Sequence, residues 1–153
     1  IGLPLYLAYK SNKREKAAKK EELKRRDKMI DNAQNHSFIK NLAKELKNII
    51  PYNNAELFNS LMQCQCNYDI QNWKFEVLKI ADKLGSEILY QIIIQLNKHW
   101  LEYYEFNYNE YSKIWIESQI NAELALLNNK YNEIRSKEMQ EKQMRLEKQK
   151  LKT

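Results

Sequence analysis

Only four of the 153 residues are Gly or Pro, two of each, against a usual background of about 12%. Glycine supplies the positive φ of tight turns, and proline ends helices and interrupts central strands, so this chain has few conventional means of reversing direction. A doubly wound nucleotide-binding sheet needs glycines in its phosphate turn, and a sandwich or barrel needs a turn about every 8–12 residues. Neither supply exists. The expected fold is all-α: a helical hairpin or bundle with one long central helix and extended, charged N- and C-terminal helices.

The spacing of apolar residues divides the chain. Ile1–Tyr9 is apolar and reads as a docked arm or the end of a truncated membrane anchor, being far shorter than the roughly 20 residues that cross a bilayer. Residues 10–35 are rich in helix formers but poor in anchors and read as a basic, solvated helix. From 36 to 128 a helical core is expected. Phe38, Ile39, Leu42, Ala43, Leu46, Ile49 and Ile50 recur at three and four, up to Pro51. Asn53 with Glu56 resembles a capping box ahead of Leu57, Phe58, Leu61 and Met62. Asp69 is a suitable N-cap for Ile70, Trp73, Val77, Ile80, Ala81 and Leu84. Gly85–Ser86 then joins a helix end tightly to a helix start, which predicts neighbours packed antiparallel or at a steep angle.

From Ser86 to Thr153 there is neither Gly nor Pro over 68 residues, on the order of 100 Å as one helix. Ile88 to Leu127 carries a broad apolar face and is expected to be the central element. Residues 129–153 form a charged helical tail, in which Glu133 with Lys137, Glu138 with Lys142 and Glu141 with Arg145 are placed for i,i+4 pairing.

Charge partitions along the chain: residues 1–50 carry +7, 51–132 carry −4 and 133–153 carry +3. The basic ends suit anionic surfaces and the acidic middle does not. Lys10, Lys13, Arg14, Lys19, Lys20, Arg25 and Arg26 are the candidate membrane or phosphate contacts. Within WLEYYEFNYNEYSKIW, Trp100, Tyr103, Tyr104, Tyr108, Tyr111 and Trp115 could stack bases, but Glu102, Glu105 and Glu110 repel phosphate. These six are therefore read as core or as a protein-partner interface.

Catalytic and cofactor signals are missing from the sequence. It holds no G-x-x-x-x-G-K-[ST], H-E-x-x-H, G-x-S-x-G or Glu-x-x-His. Cys64 and Cys66 are too few for a disulfide scaffold and read as thiols in a reducing compartment. With His36 and His99 remote in sequence they do not make a zinc set. No catalytic, cofactor or metal residue is assigned, and no small-molecule substrate is expected.

Two functions follow as expectations. The first is a non-enzymatic helical accessory subunit of a larger membrane-associated assembly, on the cytoplasmic or mitochondrial-matrix face, partnered by other protein subunits and an anionic membrane surface. Its motive is surplus apolar area: helices of about 15 residues cannot cover a stripe several times longer. The second is a basic-armed nucleic-acid-associated protein, such as one of a ribonucleoprotein, phage or plasmid system.

Overall fold

Helix formers unbroken by Gly or Pro produce helix nearly throughout. The computed structural model describes residues 2–152, with side chains from Pro4 onward. Among them are α1 (Gly2–Asn32), α2 (Ser37–Leu46), a 3₁₀ turn (Tyr52–Asn54), α3 (Ala55–Gln63), α4 (Asn67–Leu84), α5 (Ser86–Asn107) and α6 (Lys113–Lys152), and no strand. The all-helical expectation is met. The longest helix, however, is the last one, at 40 residues, and not a central one. Contacts divide the chain into two compact units, Ile1–Asn67 and Tyr68–Thr153, so the division falls inside the stretch 36–128 that reads as one core. Of the terminal segments named above, Ile1 and Thr153 lie outside the described residues.

In the first unit the apolar arm and the basic stretch are one helix. α1 runs without a break across Tyr9 and Lys10, and Pro4 sits in its first turn, where a missing N–H costs nothing. Ile30 at its far end is buried together with Phe38, Ile39, Leu42, Ala43 and Leu46 of α2, Ile50, and Leu57, Phe58, Leu61 and Met62 of α3. His36 caps α2, its Nδ1 accepting the Phe38 N–H at 3.1 Å. α2 stops at Leu46, four residues short of Ile50, and a turn closed by Ile50 N–H to the Leu46 carbonyl leads into Pro51. The capping box does not form. Asn54 N–H bonds back to the Pro51 carbonyl at 3.0 Å, winding residues 52–54 into the 3₁₀ turn, and Asn54 becomes an N-cap whose side chain makes no capping bond. Backbone acceptors have replaced side-chain ones.

Arg26 holds the α2–α3 corner. Its Nη1 donates to the carbonyls of Lys47 (2.7 Å) and Ile50 (2.6 Å), and its Nη2 to that of Pro51 (2.9 Å). Those groups follow a helix end, where carbonyls lack intrahelical donors and a cation also meets the negative end of the helix dipole. Nε reaches Glu22 at 3.0 Å and the guanidinium lies over the Phe58 ring, 5.0 Å from its centre. Asn35 does the same for α3, its Nδ2 donating to the Met62 and Cys64 carbonyls. Cys64 is buried just past that helix end, its thiol donating to the Ser60 carbonyl, and Cys66 is exposed.

The second unit is a three-helix bundle. Gln71 and Lys74 of α4 reach Glu123 of α6, and Asp82 reaches Lys130, so α4 and α6 run in the same direction. Ser86 of α5 meets Glu138 while Tyr104 meets Trp115, so α5 runs antiparallel to α6 and hence to α4. The tight joint at Gly85–Ser86 is as expected, Gly85 adopting φ +86°. A Cβ there would make ordinary contact with Glu138 Oε1 at 3.5 Å, so backbone conformation and not space requires the glycine. The core is built from Ile70, Trp73, Val77, Ala81 and Leu84; Leu89, Ile92, Ile93, Leu96, His99, Trp100 and Tyr104; and Ile116, Ile120, Leu124, Leu127 and Ile134.

The stretch from Ser86 breaks at residues 108–112, whereas Asn128 and Asn129 lie within α6. No glycine is involved. Asn107 Nδ2 donates to the Tyr103 carbonyl at 2.8 Å, closing the end of α5, and Ser112 Oγ accepts the Trp115 N–H at 3.2 Å, opening α6. With the Tyr108 N–H on the Tyr104 carbonyl and the Tyr111 N–H on that of Tyr108, these side-chain bonds make the reversal.

Glu138 does not pair with Lys142 as its spacing suggested; it caps α5 from across the bundle, Oε1 accepting the Ser86 N–H at 3.0 Å and Oε2 the Ser86 hydroxyl. Those bonds, the hydroxyl's first, hold its pKa below the usual carboxylate value. A depressed native pKa stabilises the fold above the unfolded glutamate value of about 4.3 and loses that effect as pH falls through the lower native one. Glu138→Gln should therefore cost about 0.5–1 kcal/mol at pH 7, the position being exposed. In paired urea titrations, the gap between wild type and variant should close as the pH drops below about 4.

Candidate interaction surfaces

Reversal at 108–112 gathers all six aromatic residues singled out from the sequence. Tyr103 and Tyr104 lie on the last turns of α5, Tyr108 and Tyr111 in the connection and Trp115 on the first turn of α6. Trp100 meets Tyr104 at 5.9 Å between ring centres, and Tyr104 meets Trp115 edge-on at 6.1 Å. Tyr108 and Tyr111 flank Trp115 at 5.5 and 4.3 Å. Offset and edge-to-face pairs at such distances are favourable for rings with negative faces and positive edges.

This packing changes the role of the stripe. Trp100 and Tyr104 are buried, so their surfaces belong to the chain's own core, while Tyr103, Tyr108 and Trp115 are half-buried and Tyr111 is exposed. The surplus apolar area holds only for an unbroken helix. Once that helix turns back, α6 covers much of what α5 would have left open. Burial, with the Glu123 carboxylate as a lesser cause, raises the Tyr104 pKa above that of an ordinary phenol.

What remains uncovered lies beside the predicted residues. Phe106 is 85% exposed and Ile114 80% exposed, both at the α5–α6 turn, with Glu102, Glu105, Glu110 and Glu117 exposed around them. Neither apolar residue was singled out, because helical periodicity carried past 108 gives no sign that the stripe changes direction between them.

The basic candidates separate into two groups. Lys10, Lys13, Arg14, Lys19 and Lys20 are exposed, and Lys10 Nζ stands over the Tyr6 ring at 5.1 Å. Leu5, Tyr6, Leu7 and Tyr9 are exposed on the same helix. Arg25 and Arg26 do not belong with them. Arg25 makes a bidentate pair with Glu22 (2.6 and 2.8 Å), and Arg26 is 1% exposed on its carbonyl acceptors. The Arg25 hydrogen bond is the main reason the Glu22 pKa falls below its usual value. Arg26 is drawn somewhat below the normal arginine value by burial and still keeps its charge, as arginine does in proteins. Sequence reasoning missed this because a charge run reads as solvated. The available signal was that Leu23, Arg26, Ile30 and Ala33 share one helical stripe.

No helix among the described residues is long and apolar enough to cross a membrane. Nor do three His, Cys, Asp or Glu side chains converge as a metal site among them. An open groove between α1 and the 3₁₀ turn is bordered by Glu21, Glu22 and Asp27 together with Lys24, Arg25 and Lys28, charges of both signs that give no single field for a ligand. Compared with protein-family models, curated proteins and solved structures, the chain matches none.

Proposed function

We propose that this chain is a non-enzymatic helical structural subunit of a larger assembly at an anionic membrane surface, joined to its surroundings through helices that extend beyond its two cores. The observation that carries this reading is the exposure of every side chain from 4 to 20 in α1 and from 135 to 152 in α6. Helices of that length without a packed face are marginal in water, since propagation barely repays nucleation. Such elements gain their stability by docking. Residues 4–20 combine Leu5, Tyr6, Leu7 and Tyr9 with Lys10, Lys13, Arg14, Lys16, Lys19 and Lys20, a composition suited to a headgroup layer: apolar and aromatic side chains to insert, and basic ones to meet phosphate. The proposed location is the cytoplasmic or mitochondrial-matrix face, with other protein subunits as partners.

The test is co-sedimentation of the full chain with phosphatidylcholine vesicles, with and without about 30% phosphatidylserine. Binding should require the anionic lipid and weaken with salt. The triple variant Lys13→Glu, Arg14→Glu, Lys20→Glu should lose roughly fivefold for each neutralised charge, at least a hundredfold in all. Equal binding to both vesicles, or none, would contradict the proposal. Tighter binding to duplex or single-stranded nucleic acid than to anionic vesicles, with a steep salt dependence, would transfer the same arm to the nucleic-acid reading.

A further inference from the structure

The second unit carries opposed chemistries at the two ends of α6. At the α5–α6 turn, Phe106, Tyr111 and Ile114 are exposed among Glu102, Glu105, Glu110 and Glu117. Lys113 is the one cation of residues 102–117, which leaves this end at −3. At the other end, Met139, Met144, Leu146 and Leu151 are exposed, Leu151 by 88%. They stand among Lys142, Arg145, Lys148, Lys150 and Lys152, with Glu141 and Glu147, so that residues 139–152 carry +3. One end is acidic and aromatic. The other is basic and flexibly aliphatic, and Met side chains adapt well to aromatic surfaces.

Neither end can satisfy the other within one molecule. The seam that holds α6 in the bundle runs through Ile116, Ile120, Leu124, Leu127 and Ile134; its continuation falls on Glu138, Glu141, Arg145 and Lys148, so the apolar stripe stops and the helix leaves the bundle. From Lys113 to Met139 the unbroken helix spans about 39 Å at 1.5 Å per residue. As one continuous helix, α6 holds its tail away from its own head. We infer that the tail of α6, residues 139–152, docks on the acidic aromatic α5–α6 end of a second copy of this chain. The charge complementarity of the two ends, −3 against +3, and their matched apolar groups select that occupant. One such contact leaves a head and a tail unused, so association either closes, as when two antiparallel copies pair both ends at once, or continues into open chains. Its small area places it among weak interfaces, with a Kd of about 10–100 µM.

Sedimentation equilibrium of the full chain without lipid tests this. The average mass of the wild type should rise above that of the monomer with concentration, and it should fall back toward the monomer as salt is raised. The head variant Phe106→Lys, Ile114→Lys and the tail variant Lys142→Glu, Arg145→Glu, Lys148→Glu alter exposed positions, and unchanged circular dichroism would verify their folds. Each alone should associate at least tenfold more weakly. Mixed in equal amounts they should form a dimer and stop, because only one intact head and one intact tail remain to meet. A wild type that stays monomeric to about 200 µM, variants that still associate, or a mixture that stays monomeric would each overturn the inference. Because lipid is absent, the outcome is separate from that of the vesicle experiment.

Discussion

Arg26→Ala is expected to destabilise the first unit by about 3–5 kcal/mol, a large share of the roughly 5–15 kcal/mol that holds an ordinary domain. The side chain is buried and donates to three main-chain carbonyls and to Glu22 while covering the Phe58 ring. Its loss strands the Lys47 and Ile50 carbonyls, each costing about 1–3 kcal/mol when kept from water, while the Pro51 carbonyl keeps the Asn54 N–H. It also removes the cation beside Glu22. Arg26→Lys should recover less than half of the loss, because a single ammonium cannot reproduce a planar fork that serves Lys47, Ile50 and Pro51 together. Amide exchange in α2 and α3 is the suitable readout. Protection there should collapse in the alanine variant and return only partly in the lysine one. Near-native protection in the alanine variant would show that the α2–α3 corner does not depend on this residue.

Trp100→Ala should cost the second unit about 3–5 kcal/mol, the usual range for removing a large buried ring. Trp100 is 1% exposed and its indole meets Tyr103 edge-on at 5.7 Å and Tyr104 at 5.9 Å, so the variant loses aromatic pairing as well as buried area. Phe106→Ala provides the contrast. That ring belongs to the same run of aromatics but stands in solvent, and its removal should shift stability by no more than about 0.5 kcal/mol. Urea unfolding followed by circular dichroism would measure both. Similar effects from the two substitutions would mean that the ring cluster is not the internal core described above.

Helical class, the α2 and α3 stripes, the α4 stripe and the Gly85–Ser86 joint were legible because each follows from period or from a residue with one dominant backbone preference. Two features were not, for related reasons. The reversal at 108–112 uses Asn107 and Ser112, polar residues common on any exposed helix face, so a turn made by capping side chains looks like continued helix. Arg26 sits in a run of basic residues, and its burial depends on carbonyls at residues 47, 50 and 51, twenty-one to twenty-five positions away. Periodicity reports which face of a helix is apolar. It does not report which polar group completes a distant helix end. Correcting these two points moves the candidate surface from the stripe as a whole to Phe106, Tyr111 and Ile114, and moves the basic surface away from Arg25 and Arg26 to residues 10–20.

The proposed role depends most on the bare helix at residues 4–20 being a docking element. Amide exchange across those residues in the full chain, compared in buffer, with neutral vesicles and with anionic vesicles, tests it directly. The expected result is fast exchange in buffer and on neutral lipid, and at least tenfold slower exchange on anionic lipid as the helix gains a packed face. Exchange that is equally fast in all three conditions, or already as slow in buffer as in the buried turns of α2, would contradict it.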